Sequence, residues 1–137
     1  MARVVVFGTF DVVHVGHIRY LEQAKKLGDE LVVVVSRDSN SRKIKGHETL
    51  ISERHRLEVV SALRMVDKAI LGNSKDRFGK LVSLKPDVVA LGYDQAADLE
   101  KLRARLENAK LNPKIVRMKP YKGRVMKSSK IKKCLGL

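Results

Sequence analysis

Short apolar runs alternate along the chain with longer amphipathic stretches. Five runs rich in valine, isoleucine and leucine predict buried strands, at residues 3–7, 31–35, 66–71, 87–91 and 114–118. Between them, apolar residues recur at helical spacing and predict helices at 14–27, 52–63, 74–84 and 98–109. This alternation favours an α/β fold, a parallel sheet with helices on both faces. We predict one domain over residues 1–137.

Residues 36–50 interrupt the alternation. The segment has few apolar residues, and it is rich in basic side chains between Arg37 and His47, including Lys43 and Lys45. We predict a long, mobile loop here. Because long structureless loops in compact domains often serve as lids, this loop is expected to become ordered over a bound ligand.

The charge of the chain indicates anionic partners. The net charge is +14, and the segment from Lys110 to Leu137 contains no acidic residue. A strongly basic chain can bind nucleic acid, but aromatic residues make up only 4% and leave few side chains for base stacking. We therefore expect small anionic substrates, and we do not expect nucleic acid as a partner.

Two further features bear on where the protein acts. No apolar run approaches the roughly 20 residues of a membrane span, and the first predicted strand leaves no room for a signal peptide. Cys134 is the single cysteine, which excludes an internal disulfide and fits a reducing compartment. We predict a cytoplasmic protein with no membrane partner.

Candidate chemistry is concentrated where the first predicted strand ends. Residues 8–11, Gly-Thr-Phe-Asp, lead to His14 and His17, which share one face of the helix that begins there, with Gly16 between them. A helix start offers backbone N–H groups and a positive dipole, and two imidazole donors add to both. The pattern predicts a polyphosphate site. A metal pair or two surface histidines is the alternative, but no third ligand set with zinc spacing stands nearby.

The order Gly-Thr-Phe-Asp-x-x-His-x-Gly-His at 8–17 resembles the signature of the cytidylyltransferase-like nucleotidyltransferases. The resemblance implies a Rossmann-like, doubly wound, five-stranded parallel sheet with its first and fourth strands side by side. Ligands in such sheets bind beyond the carboxyl ends of the strands. The implied reaction is attack by a phosphate oxygen on the α-phosphorus of a nucleoside triphosphate. Mg²⁺ or another divalent cation would enter with the triphosphate, and a homodimer is expected.

The resemblance also implies roles for individual residues. The catalytic groups are expected to be His14, His17 and Lys45. Nucleotide contacts are expected at Thr9, Phe10, His14, Val15, Gly16, His17, Asp94, Tyr121, Ser128 and Ser129. The acceptor substrate is expected to contact Asp11, Arg56 and Arg64, and no side chain is expected to ligate a metal. Arg56 and Arg64 are alternatively candidates for a subunit interface.

Structural alternatives stay open for several of these residues. Phe10 can equally be a core aromatic, and Asp11 a turn-capping carboxylate. Lys45 can lie in a merely solvated loop, and Arg64 can pair near Asp67. Tyr121 can pack within a loop. The hydroxyls at 128 and 129 can be an ordinary N-cap, and position 127 is lysine where the family has serine.

Three segments narrow the resemblance to the archaeal FAD synthases, which transfer AMP from ATP to FMN. They are Leu-Gly-Asp-Glu-Leu-Val-Val-Val-Val at 27–35, Val-Asp-Lys-Ala-Ile-Leu-Gly at 66–72 and Gly-Tyr-Asp-Gln at 92–95. Met65 departs from the family, which has an aromatic residue there. The alternatives are a cytidylyltransferase that uses CTP and a small phosphorylated alcohol such as glycerol 3-phosphate, and a non-catalytic RNA-binding protein.

Overall fold

The computed structural model describes residues 2–46, 48–76, 78–92, 99–119 and 136, with the backbone alone at 43–45. The elements in chain order are β1 (Arg3–Gly8), α1 (Val15–Lys25), β2 (Glu30–Val35), α2 (Asp38–Lys45), α3 (Glu53–Ser61), β3 (Lys68–Leu71), α4 (Gly79–Ser83), β4 (Val88–Leu91), α5 (Leu99–Asn108) and β5 (Lys114–Arg117). All strand pairs are parallel, and the order across the sheet is β3-β2-β1-β4-β5. The predicted five-stranded parallel sheet is confirmed, with β1 beside β4.

The valine-rich strands are buried on both faces of the sheet, as is typical of parallel sheets. Successive side chains of a strand point to opposite faces. In β1, Val4 and Val6 therefore pack in one core, with residues of α1 and α3. Val5 and Phe7 pack in the other, with residues of α4 and α5. This division is the doubly wound arrangement that the sequence predicts.

The structure corrects two predicted segments. Residues 36–50 do not form a structureless loop, because α2 occupies Asp38–Lys45. Helix α4 covers only Gly79–Ser83, within the longer predicted stretch 74–84. Within the described ranges, no helix is both long enough and apolar enough to cross a membrane.

Helix α2 escaped prediction because its ends, and not an apolar stripe, stabilise it. It ends at Gly46, whose φ of +77° gives a left-handed cap, and the Gly46 N–H donates to the Arg42 carbonyl at 2.8 Å. At its start, the Asp38 N–H donates to Glu53 Oε1 at 3.0 Å. Glu53 is remote in sequence, so local pattern carries no sign of this contact.

Helices α2 and α3 cap each other. The Glu53 N–H in turn donates to Asp38 Oδ2 at 3.3 Å, so each carboxylate lies at the first residue of the other helix. Carboxylates are favourable at helix starts because the first N–H groups there lack partners within the helix. Two arginines complete the network: Arg37 pairs with Glu53 at 2.8 Å and Arg56 with Asp38 at 2.6 Å.

These contacts lower the pKa of both carboxyl groups. Desolvation raises the pKa of Asp38, but hydrogen bonds from Arg56, the Glu53 N–H and Thr49 together outweigh it. For Glu53, the hydrogen bond from the Asp38 N–H is the largest cause of the lowered pKa, and Arg37 adds to it against the effect of burial. Both groups therefore favour the folded state when ionised.

Strands β1 and β4 pair over a short length. Their register joins Val4 to Val88 and Val5 to Val89, whereas β1 and β2 pair along the whole of β1. Beyond Val89, the Tyr20 hydroxyl on α1 donates to the Ala90 carbonyl at 2.8 Å. Burial raises the pKa of Tyr20 above its ordinary value. Tyr20 thus satisfies a carbonyl near the point where the two central strands separate.

Replacing Asp38 by Asn should flatten the acid dependence of stability. A carboxyl group whose pKa is lower in the folded state stabilises the fold above its unfolded pKa of about 4, and this contribution disappears as the pH falls through the folded pKa. The unfolding free energies of wild type and Asp38→Asn, measured in urea, should differ most near about pH 6 and converge towards about pH 3. Glu107→Gln, at an exposed position of α5, is the control. A gap of constant size across this range would contradict the account.

Replacing Tyr20 by Phe should destabilise the protein by about 1–3 kcal/mol, the typical cost of a buried polar group that loses its partner. The Ala90 carbonyl would lose the hydrogen bond from the Tyr20 hydroxyl. The only change in shape would be the loss of one hydroxyl oxygen. Equilibrium unfolding in urea measures the difference. A value within about 0.5 kcal/mol of wild type, the range of neutral surface substitutions, would show that the Tyr20 hydroxyl does not stabilise this part of the sheet.

Candidate active site

The loop after β1 turns sharply around Phe10. Its φ of +54° is left-handed, which is rare for a bulky residue. The Phe10 ring is buried and folds back over Gly8, where a Cβ atom would lie 3.0 Å from the ring. Gly8 therefore makes room for the turn. Strained backbone of this kind often occurs at functional sites.

Asp11 fixes this loop from one side. Its carboxylate is buried, and its two oxygens accept the backbone N–H groups of Leu50 and Ile51, each at 2.8 Å. Asp11 thus caps backbone amides, as one of its alternatives supposes, but those of a segment distant in sequence. Its contact with the acceptor substrate stays a prediction.

Arg56 fixes the loop from the other side. Its guanidinium donates to the Thr9 carbonyl at 2.7 Å, to the Ile51 carbonyl at 2.9 Å and to Asp38 at 2.6 Å. The residue is 1% exposed. Arg56 is predicted from sequence to contact the acceptor substrate, and the structure shows it bound to three protein oxygens.

Three hydroxyls meet at the carboxyl ends of β1 and β2. Ser36 and Ser41 lie 2.6 Å apart, and Thr9 lies 3.3 Å from Ser36 and 3.5 Å from Ser41. Ser41 on α2 is fully buried. Of these three residues, only Thr9 is predicted from sequence as a site residue. The one available signal was that Ser36 directly follows a strand at the sheet edge where ligands bind.

His14 and His17 form a stacked pair at the start of α1. Nδ1 of His14 accepts the Gly16 N–H at 3.0 Å, and Nδ1 of His17 accepts the His14 N–H at 3.3 Å. The ring centroids are 4.1 Å apart with 29° between the planes, and the Phe10 ring lies 5.3 Å from that of His17. Because both Nδ1 atoms accept, the proton of each neutral ring is assigned to Nε2.

The contacts of the two rings also bear on their protonation. A protonated Nδ1 in either ring would lose its backbone N–H donor. If Nε2 kept its proton as well, the resulting imidazolium would add positive charge beside its stacked neighbour and at the positive end of α1. Two neutral rings, each with an Nε2–H, fit these constraints better. Val15 and Gly16 form the first turn of the same helix, so the predicted phosphate-binding residues of this segment lie together.

The structure separates Arg64 from this group. Arg64 is exposed in the turn leading to β3, at the amino ends of the strands, whereas the histidines lie at the carboxyl ends. The Asp67 carboxylate accepts from Lys25 at 2.5 Å and from the Leu31 N–H at 2.7 Å.

Lys45, the third predicted catalytic residue, is the last residue of α2.

Four predicted nucleotide contacts lie outside the described residues: Asp94, Tyr121, Ser128 and Ser129. Among the residues that are described, no group of three or more His, Cys, Asp or Glu side chains could hold a metal ion. Both oxygens of Asp11, the carboxylate in the loop after β1, already accept backbone N–H groups.

Several sequence relatives of the chain are named FAD synthase. A FAD synthase of Archaeoglobus profundus is 54% identical over 119 residues, which cover 87% of this chain and 76% of the relative. A FAD synthase of Thermoplasma acidophilum is 47% identical over 133 residues, covering 97% of this chain and 93% of the relative. The predicted resemblance to archaeal FAD synthases is confirmed.

Solved structures share the fold. A protein of Thermoplasma volcanium described as a lipopolysaccharide core biosynthesis protein superposes with a TM-score of 0.82 at 45% identity, covering 88% of this chain and 98% of that one. TmcAL of Thermotoga maritima, bound with alpha-thio ATP, superposes with a TM-score of 0.68 at 18% identity, covering 99% of this chain and 50% of that one. At this identity the match shows a shared fold only. The family model described as Cytidylyltransferase-like matches residues 5–134, from β1 onward through the histidine pair. The chain belongs to the cytidylyltransferase-like family.

Proposed function

We propose that the protein transfers the adenylyl group of ATP to FMN, giving FAD and pyrophosphate. The observation that carries the proposal is the stacked pair His14 and His17 at the start of α1, where both Nδ1 atoms accept backbone N–H groups and each neutral ring therefore has its proton on Nε2. The choice of FMN as the acceptor rests on relatives at 44–54% identity that are named FAD synthase.

The chemistry requires positioning and charge stabilisation. A phosphate oxygen of FMN forms a bond to the α-phosphorus of ATP, and the bond from that phosphorus to the bridging oxygen breaks to release pyrophosphate. Negative charge moves onto the oxygens of the transferring group and onto the leaving group. Hydrogen-bond donors already aimed at those oxygens stabilise the transition state without reorganisation. The Nε2–H groups of His14 and His17 supply such donors.

Magnesium belongs to the nucleotide substrate in this scheme. Mg²⁺ usually keeps several waters and binds substrate phosphates through few protein ligands. The described side chains offer N–H donors around the loop after β1, which suits the phosphates of a metal–ATP complex. Another divalent cation of similar chemistry could take its place.

The remaining roles follow from the family and from position. Thr9, Phe10, Val15 and Gly16 would contact the nucleotide, and Lys45 its phosphates. Further nucleotide contacts carried over from the family are Asp94, Tyr121, Ser128 and Ser129. The exposed position of Arg64, far from the histidines, favours a subunit interface over acceptor binding. A homodimer of single-domain chains acting in the cytoplasm completes the proposal.

The reaction itself is tested by release of pyrophosphate. The protein should release it from ATP in the presence of FMN and Mg²⁺, with FAD formed in equal amount. Parallel reactions with CTP and glycerol 3-phosphate, and with CTP and choline phosphate, test the cytidylyltransferase alternative. Turnover of those pairs with none of ATP and FMN would overturn the assignment. Salt-sensitive binding of a random oligonucleotide without any turnover would favour the RNA-binding alternative.

Removing the donor of His17 should slow turnover far more than it weakens ATP binding, because the charge that the donor meets develops most in the transition state. His17→Ala should lower kcat by about 10²–10³-fold, the usual effect of deleting such a donor. His17→Asn is the sharper variant, since its amide oxygen can still accept the His14 N–H while Nε2 is lost.

The control for His17 is His55→Ala, at an exposed position of α3. Its kcat should equal that of wild type. If His17→Asn stays within about fivefold of wild type on the same scale, His17 does not donate to the transferring group.

A further inference from the structure

We propose that Arg56 is a positioning residue, which holds the loop after β1 and through it the His17 ring, and that it does not contact substrate. The kinetic part of this inference rests on the proposed function. The structural part, the dependence of His17 on Arg56, does not.

The guanidinium of Arg56 is already committed to the protein. Each of its three nitrogens donates to a protein oxygen, at 2.6–2.9 Å, and its side chain has no exposed surface. A substrate phosphate could reach it only after these bonds broke. Removing a buried charge from its partner is costly, so such an exchange is unfavourable.

The contact with Thr9 controls the turn that follows. A peptide unit is planar, so the hydrogen bond to the Thr9 carbonyl oxygen also fixes the Phe10 nitrogen. Phe10 holds its left-handed φ of +54° from that plane. A strained conformation persists only where its surroundings determine it. Arg56 provides that determination, with Asp11 on the far side of the turn.

The turn at Phe10 also contacts the histidine pair. The Phe10 ring lies 5.3 Å from the His17 ring, and His17 stacks on His14. A small rotation of Phe10 would therefore displace the ring whose Nε2–H is proposed to meet the transferring phosphate. Misplacement of a catalytic group by about 1 Å can cost on the order of 10²-fold in rate.

Asp38 extends the same support to the neighbouring helices. Its carboxylate pairs with Arg56 at 2.6 Å and caps α3 through the Glu53 N–H. The position of the Thr9 carbonyl is thus tied to the starts of α2 and α3. Substitutions of Arg56 and Asp38 should act as one unit and be strongly non-additive.

Arg56→Lys separates the two possible roles. Lysine keeps the positive charge, but its single ammonium cannot replace the planar fork that reaches three separate oxygens. If Arg56 holds the loop, Lys should fail nearly as badly as Gln. If it only supplies charge to a phosphate, Lys should restore much of the activity. Arg54→Lys, at an exposed position of the same helix, is the matched control.

Two readouts are taken on the full chain below its unfolding temperature. Arg56→Lys and Arg56→Gln should each lower kcat by about 10–100-fold, with the KM for ATP nearly unchanged. In ¹H–¹⁵N spectra of the imidazoles, assigned with single histidine variants, both should shift the His17 signals. Arg54→Lys should alter neither readout. If wild type fails to make FAD while the His17 signals shift as stated, the proposed function falls and the positioning role stands.

The inference is overturned if Arg56→Lys keeps wild-type kcat while Arg56→Gln raises the KM for ATP or FMN, or if the His17 signals do not move. Should the Arg56 variants not fold, Asp38→Asn takes their place. It should lower kcat and shift the His17 signals in the same direction, and unchanged values of both would equally overturn the inference.

Discussion

One buried guanidinium joins the segments that surround the candidate site. Arg56 binds the loop after β1, Ile51 two residues before α3, and the first residue of α2. Burying a charge is expensive unless it is paired and hydrogen-bonded, and Asp38 with two carbonyl oxygens meets both conditions. The same carboxylate then caps α3, while Glu53 caps α2. Polar contacts between separate elements and loops of the chain therefore hold the site together.

The histidine pair shows how one set of contacts can serve both fold and chemistry. His14 caps α1 and His17 binds the backbone N–H of His14, so both rings have fixed orientations before any ligand arrives. The nitrogens used for this purpose are the Nδ1 atoms, so each neutral ring carries its proton on Nε2. A catalyst that stabilises developing negative charge benefits from donors that need no reorganisation. The helix start supplies backbone dipoles at the same place.

The sheet and the histidine pair could be predicted because each depends on residues close together in sequence. Valine runs predicted the strands, and the family resemblance gave β1 beside β4. Helix α2 could not be predicted in this way, since Gly46 and a carboxylate distant in sequence stabilise it. Arg56 was predicted to contact the acceptor substrate, and its three contacts with protein oxygens could not be predicted, because residue type alone cannot distinguish a buried guanidinium from an exposed one. The pairing of Asp67 with Lys25 was missed for a different reason, since it joins residues far apart in sequence.

The protonation of the two imidazoles can be measured directly by two-bond ¹H–¹⁵N correlation spectra of the ¹⁵N-labelled protein near neutral pH. These spectra distinguish a neutral ring with its proton on Nε2 from one with its proton on Nδ1, and both from the imidazolium. His14 and His17 should each give the pattern of the Nε2–H form, and their Nε2–H signals should shift on addition of ATP and Mg²⁺. A proton on Nδ1 of either ring, or Nε2–H signals that do not respond to the nucleotide, would contradict the view that this helix start presents two imidazole donors to a triphosphate.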